Sequence, residues 1–194
     1  MSDADVVTRV LAGDTDAYAV LVRRHGAVAR RMAVLFGAGD DADDVVQEAF
    51  VKAYRALGRF RGDASFRPWL LRIVANEVHN LVRSSRRRDV REHVSVCLSV
   101  DVAARWAEEV DPVSRTLSTE RREALLAAVG RLGENYRAVV CCRYLLGLGE
   151  AETAVVLGWP RGTVKSRLSR ALKRLSTDLA VHRLRTEEVG HARG

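Results

Sequence analysis

No apolar run in this sequence approaches the roughly 20 residues that a bilayer-crossing helix needs. The N-terminus, MSDADVVTRVLAGD, is acidic and has no apolar signal core, so the chain reads as cytoplasmic, without membrane insertion. Cysteine is scarce: Cys97, Cys141 and Cys142 are the three present. An odd count with one adjacent pair makes no disulfide framework, and Cys141 and Cys142, inside AVVCCRYLL, read as small core hydrophobes. His93 and Cys97 lie four apart, but no second pair at ligand spacing accompanies them. The acidic run at Asp40, Asp41, Asp43 and Asp44 lacks the glycine and distal glutamate of a calcium loop. It also lacks the second carboxylate or histidine cluster that a two-metal phosphohydrolase or nuclease requires. No glycine-rich phosphate loop or nucleophile–base motif is present. The chain is therefore not read as an enzyme, and neither a metal nor a cofactor is expected.

What the sequence does have is positive charge and helical periodicity. Its 194 residues are 47% hydrophobic and carry a formal net charge of +7, with a pI of about 9.9. A packed core is affordable at that composition, and the charge favours a polyanionic partner, nucleic acid ahead of a membrane surface. The organising stretch is Trp159 to Leu175, WPRGTVKSRLSRALKRL. Val164, Leu168, Ala171, Leu172 and Leu175 recur at helical spacing as one apolar stripe. Arg161, Lys165, Arg167, Arg170, Lys173 and Arg174 cover the other face. Pro160 is well placed in the first helical turn. Upstream, Glu150 to Leu157 forms a short helical run ended by Gly158. Two short helices joined by a tight glycine-containing turn, the second one basic, read as a helix-turn-helix whose second helix enters a major groove. A solvated basic face on an ordinary surface helix would show the same charges, but not the preceding helix and turn.

From the N-terminus, Asp5 to Arg31 reads as two helices interrupted at Gly13-Asp14, the second capped near Thr15 or Asp16. Its stripe is Val6, Val10, Leu11, Tyr18, Leu21, Val22 and Val28, and it reads as scaffold. Gly37 and Gly39 break the chain, and Asp40, Asp41 or Asp43 can cap the next helix. Acid in a first turn suits the helix dipole, which accounts for most of the aspartates. Asp44 and Glu48, however, form an i,i+4 like-charge pair that an isolated helix disfavours. With Gln47 beside them, they make an acidic and amide face suited to a basic protein partner. The next segment, Tyr54 to Arg72, alternates aromatics with arginine. Such a pattern can neutralise phosphates and stack unpaired bases, although Phe66 and Trp69 also suit a core. A helix from about Phe66 to Arg83 would bury Leu70, Ile73, Val74, Val78 and Leu81 and carry Asn76 and Asn80 one turn apart.

After Arg83–Arg88 the composition changes. Asp89 to Arg115 holds three arginines against six acidic residues with no sustained period, apart from a short helical run at Val102–Glu109, which is a linker signature between two basic halves. Asp111-Pro112 looks like a helix start. One helix then runs to Leu132, with Gly133 breaking it. A second follows from Tyr136 to Leu146, and then the helix-turn-helix. Beyond Ala180 the chain is polar and expected to fray.

Taken together, DDADDVVQEAFVKAYRALGRFRGDASFRPWLLRIVANEVHNLVRSSRRR resembles region 2 of bacterial sigma factors, and LGENYRAVVCCRYLLGLGEAETAVVLGWPRGTVKSRLSRALKRL resembles region 4. Their order and separation, with no room for region 1.1 or region 3, are similar to the extracytoplasmic-function (ECF, group IV) class of the sigma-70 family. The resemblance implies an all-α fold: region 2 over residues 1–88, an acidic flexible linker over 89–111, region 4 over 112–180 and a tail over 181–194. It implies that Asp44, Gln47 and Glu48 dock on the clamp helices of the largest subunit of core RNA polymerase, with the flap of the second subunit as a further contact. It places the minus-10 promoter element against Arg59, Phe60, Arg61, Asp63, Ser65, Trp69, Arg72 and Asn76, and the minus-35 element against Arg161, Thr163, Lys165, Ser166, Arg167, Ser169 and Arg170. An anti-sigma factor is a further partner that the resemblance implies. Two positions depart from the family pattern: Gly133 stands where proline is usual, and Gly149 where serine caps the helix-turn-helix. The rival reading is a polymerase-independent helix-turn-helix regulator. It accounts for the C-terminal half and leaves the aromatic–arginine segment and the Asp44 face without a task.

Overall fold

The computed structural model describes residues 1–60, 65–89 and 119–191, and among these every regular element is helical. The chain divides into two compact units, Met1–Val96 with Ala151–Trp159, and Cys97–Glu150 with Pro160–Gly194. The short helix at Val102–Glu109, the Asp111-Pro112 helix start, Arg61, Asp63 and the His93–Cys97 pair lie outside the described residues.

In the first unit, α1 (Asp3–Leu11) starts on a reciprocal cap in which the Asp5 amide donates to Ser2 Oγ and the Ser2 amide donates to Asp5 Oδ2. The cap on the next turn is Asp14, one residue before the expected Thr15 or Asp16, and its Oδ1 accepts from the Ala17 amide. Asp14 wins because Gly13, at φ 103°, turns the chain there. Helix α2 (Tyr18–Phe36) follows and ends on Gly37 in the left-handed region. Helix α3 (Ala42–Ala56) begins after Asp41, whose side chain makes no capping bond. Of the three candidate caps, Asp43 instead accepts from Arg30 Nε of α2 at 2.9 Å. Helix α4 (Phe66–Asp89) runs six residues past the expected Arg83. Helices α2 and α3 pack on each other and both pack on α4, with α1 laid along α2. Leu21, Met32, Ala49, Leu70, Leu71 and Val74 are fully buried at the centre. Leu11 and Val22, read as part of the apolar stripe, are exposed instead.

In the second unit, α5 (Thr119–Arg131) and α6 (Glu134–Val140) both lie against α8 (Arg161–His191). Where one helix was expected over Tyr136–Leu146, α6 gives way at Cys141 to a wider π turn, with the Leu146 amide donating to the Cys141 carbonyl at 2.9 Å. The Arg143 guanidinium donates to the Leu148 carbonyl and ties off that turn. Cys141 and Cys142 are buried, as expected, and burial pushes both thiols up, Cys141 to about 12. Helix α7 (Glu150–Leu157), counted from Ala151 with the first unit, ends at Gly158, at φ 67°. Pro160 sits one residue before α8, not inside it, and its carbonyl accepts the first helical bonds from Thr163 and Val164. Val164, Ala171 and Leu175 are buried, while Leu172, at 39% exposure, falls off the stripe. Helix α8 is described as far as His191, past Ala180. Arg131 of α5 makes a two-nitrogen bond to Asp178 Oδ2 and fastens the start of that extension.

Thr153 on α7 is fully buried, and its hydroxyl has no hydrogen-bond partner. Replacing it by valine keeps the shape and removes an unsatisfied polar group, which costs about 1–3 kcal/mol when buried. Thr153→Val is expected to raise the urea midpoint by the equivalent of about 1 kcal/mol, and a lowered midpoint would show that the hydroxyl is satisfied in solution.

Candidate functional site

Helix α3 turns its apolar side, Val45, Ala49, Phe50 and Ala53, into the first unit. Asp44, Gln47 and Glu48 are thereby left on the exposed side within about one turn. Val51 and Tyr54 continue that line as exposed apolar residues, at 37% and 42%. Lys52, one turn after Glu48, sends its ammonium to Glu48 Oε1 at 3.4 Å and to Glu77 Oε2 of α4 at 2.6 Å. This bridge between helices was not read from the sequence, because its two acids lie 29 residues apart.

On α4 the buried line Leu70, Val74 and Val78 leaves Arg72, Asn76 and Asn80 exposed along the opposite side. Trp69 stands at the head of that line, half-buried. Its ring centroid lies 5.1 Å from Phe60 and 5.5 Å from Phe66, and those two rings meet edge to face at 5.8 Å. Such aromatic pairs add about 0.5–1.5 kcal/mol beyond the area they bury. Phe66 is 1% exposed and Phe60 9%, so both belong to the core. Phe60, expected among the minus-10 residues, packs its ring beneath Trp69. Arg59 and Ser65 are exposed at the two ends of the loop.

Beneath the seat lies a residue that sequence reading passed over. His25 of α2 is 6% exposed, 5.3 Å from the Phe66 ring, with Nε2 2.8 Å from Asp3 Oδ2. Arg24 reaches the other oxygen of Asp3. A signal was available, since His25 falls at i+4 from Leu21 and i−4 from Ala29, both on the buried stripe.

On α8, Arg161, Lys165, Ser166, Ser169 and Arg170 are exposed, while Thr163 and Arg167 are half-buried. Arg161 Nε is 3.6 Å from Glu150 Oε1 at the start of α7. The Ser166 hydroxyl donates to the Thr163 carbonyl. The exposed side thus presents two cations and two small hydroxyls within six residues, Lys165 to Arg170, which suits a polyanion approached along its groove. No group of three or more metal-ligating side chains occurs among the described residues, and no helix there is long and apolar enough to cross a membrane.

Comparison with known proteins decides the family. Residues 19–88 match the model of Sigma-70 region 2, and residues 117–175 match that of Sigma-70, region 4. The chain is 36% identical over 173 residues to the ECF RNA polymerase sigma-E factor of Escherichia coli strain K12, covering 88% of this chain and 91% of the relative. It belongs to the ECF sigma factors. The sigma-E factor of Haemophilus influenzae is 32% identical over the same share of this chain and 92% of its own. Among solved structures, CnrH in complex with the cytosolic domain of CnrY superposes with a TM-score of 0.66 at 30% identity, over 93% of this chain and 99% of that one. The sigma factor RpoE of Bartonella quintana, bound to the anti-sigma factor NepR, shares the fold, with a TM-score of 0.64 at 24% identity over 84% and 97% of the two chains. ECF sigma factors bind core RNA polymerase and direct promoter-specific initiation, and this chain is one of them.

The ring seat yields a measurable expectation. Removing the Phe60 ring (Phe60→Ala) costs about 3–5 kcal/mol as a core truncation and leaves Trp69 without support on one side. In a chain whose Trp106 and Trp159 are changed to Phe, the variant is expected to show stronger acrylamide quenching of Trp69 in the folded state. Unchanged quenching would place the seat elsewhere.

Proposed function

We propose that three surfaces of this ECF sigma factor divide the work of initiation. The α3 face of Asp44, Gln47 and Glu48 docks on the clamp helices of the largest polymerase subunit, and region 4 also meets the flap of the second. The α4 line of Trp69, Arg72 and Asn76, together with Arg59, Arg61, Asp63 and Ser65 from the preceding loop, engages the minus-10 element and holds an extruded base of the non-template strand. Phe60 serves from below by positioning Trp69. Helix α8 reads the minus-35 element. Lys165, Ser166, Ser169 and Arg170 contact bases or phosphates, and Arg161, Thr163 and Arg167 contact the backbone. The domains follow as residues 1–88 for docking and opening, 89–111 as tether, 112–180 for upstream recognition and 181–194 as tail. The chain performs no covalent chemistry itself, and it acts in the cytoplasm, where polymerase and chromosome are. An anti-sigma factor is a further partner, in line with the anti-sigma factor NepR bound to the structurally similar RpoE.

The observation that carries the reading is the line on α4. A half-buried indole held by two core rings, continued by an exposed arginine and asparagine at helical spacing, is a stacking platform with phosphate and base-edge contacts attached. Opening a duplex costs a few kcal/mol of stacking and pairing per extruded base, which capture on such a platform offsets. A regulator acting without polymerase would have no use for it. Run-off transcription with bacterial core polymerase on genomic fragments, with and without the chain, tests the whole proposal: defined start sites are expected only when the chain is present.

Two finer outcomes follow. Lys165→Ala with Arg170→Ala is expected to weaken binding of holoenzyme to the upstream element by about tenfold or more, since good bidentate contacts are worth about 1–3 kcal/mol each. Association with core polymerase in a pull-down should not change, and loss of that association would refute the division of labour. Trp69→Ala is expected to leave closed-complex formation in place and to reduce permanganate reactivity of unpaired thymines. Undiminished reactivity would remove Trp69 from the opening step.

A further inference from the structure

The acidity of the α3 face is not all available to a partner. Glu48 shares the Lys52 ammonium, 3.4 Å away, with Glu77 of α4, which holds it at 2.6 Å. The two acids differ in setting. The Glu48 side chain is 50% exposed and that of Glu77 only 14%. The shorter bond goes to the more sheltered acid, where water competes least. That bond is also the leading cause of the raised Lys52 pKa, so the cation stays charged across the physiological range. Glu77 therefore draws Lys52 across toward α4 and leaves the carboxylate of Glu48 only partly neutralised.

We propose that Lys52 is a positioning residue for polymerase docking: divided between Glu77 and Glu48, it sets how much negative charge the α3 face offers to a basic protein surface. The inference rests on the docking role given above to Asp44, Gln47 and Glu48. It has a consequence that a purely structural cross-link lacks. Losing Lys52 and losing Glu77 break the same bridge between α3 and α4, yet they act on Glu48 in opposite directions. Without Lys52, Glu48 is fully free. Without Glu77, Lys52 turns wholly to Glu48, the i,i+4 partner next in reach.

The test is the affinity of the full chain for core RNA polymerase, measured by fluorescence anisotropy across a series of salt concentrations, with the folded fraction of each variant taken from its thermal melt. Lys52→Gln is expected to tighten binding about two- to fivefold, the scale of one exposed charge interaction, and to steepen its salt dependence. Glu77→Gln is expected to weaken binding by a similar factor. The double variant Lys52→Gln/Glu77→Gln, whose net charge equals that of the original chain, is expected to bind like Lys52→Gln, because Glu48 is free in both. In a Glu48→Gln background the effect of Lys52→Gln should vanish. Singles that shift in the same direction, or a double that binds like the unaltered chain, would overturn the proposal and leave the bridge structural. Asp44→Asn and Glu48→Gln serve as the separate control. If neither weakens binding, the docking role itself fails.

Discussion

Burial along one side of α4 fixes which of its own residues face outward in the first unit. Leu70, Leu71 and Val74 are wholly inaccessible and Val78 nearly so, and each such side chain contributes about 1.5–3 kcal/mol on leaving water. Helices α2 and α3 both rest on this line. Its rotation therefore decides which residues of α4 can face outward, and Arg72, Asn76 and Asn80 are among those left there. A single helix thus has to satisfy a core and a surface at once. Its period of 3.6 residues is what allows both without compromise.

The aromatic seat extends the same logic to a residue that belongs to neither side. Trp69 is half in and half out because Phe60 and Phe66 fill the space beneath it, and Phe66 in turn rests on His25. The Asp3 carboxylate joins α1 to that stack through His25 and Arg24. The N-terminal helix is therefore part of what holds the indole in place. In the opening step proposed above, an ordered platform would lose little entropy when a base settles on it, which is the advantage of holding it rigid beforehand.

Much of this was legible in the sequence, for identifiable reasons. Exposed positions on long periodic helices were read correctly at Asp44, Gln47, Glu48, Arg72, Asn76, Lys165 and Arg170, because periodicity fixes which side of a helix a residue takes. The end of α7 at Gly158 was legible as a glycine stop. The burial of Phe60 was not legible, since a residue between helices has no period to say which way its ring points. Leu172 was misread because the apolar residues of α8 span more of its circumference than α5 and α6 cover. The π turn at Cys141–Leu145 has no compositional signature, and the bond from Arg131 to Asp178 spans 47 residues, so the persistence of α8 beyond the matched region could not be read locally. The bridge through Lys52 was hidden for the same reason: tertiary partners lie outside any helical window.

The neighbouring thiols at the π turn have a bearing on how such a protein could learn of oxidative stress. Only the thiolate reacts readily with peroxide or a disulfide, and Cys141 and Cys142 are both held protonated in a site closed to solvent. A peroxide pulse would pass this pair by unless the helices around it first came apart. Any response to oxidants routed through these two sulfurs would therefore be governed by the opening rate of the fold rather than by the chemistry of sulfur.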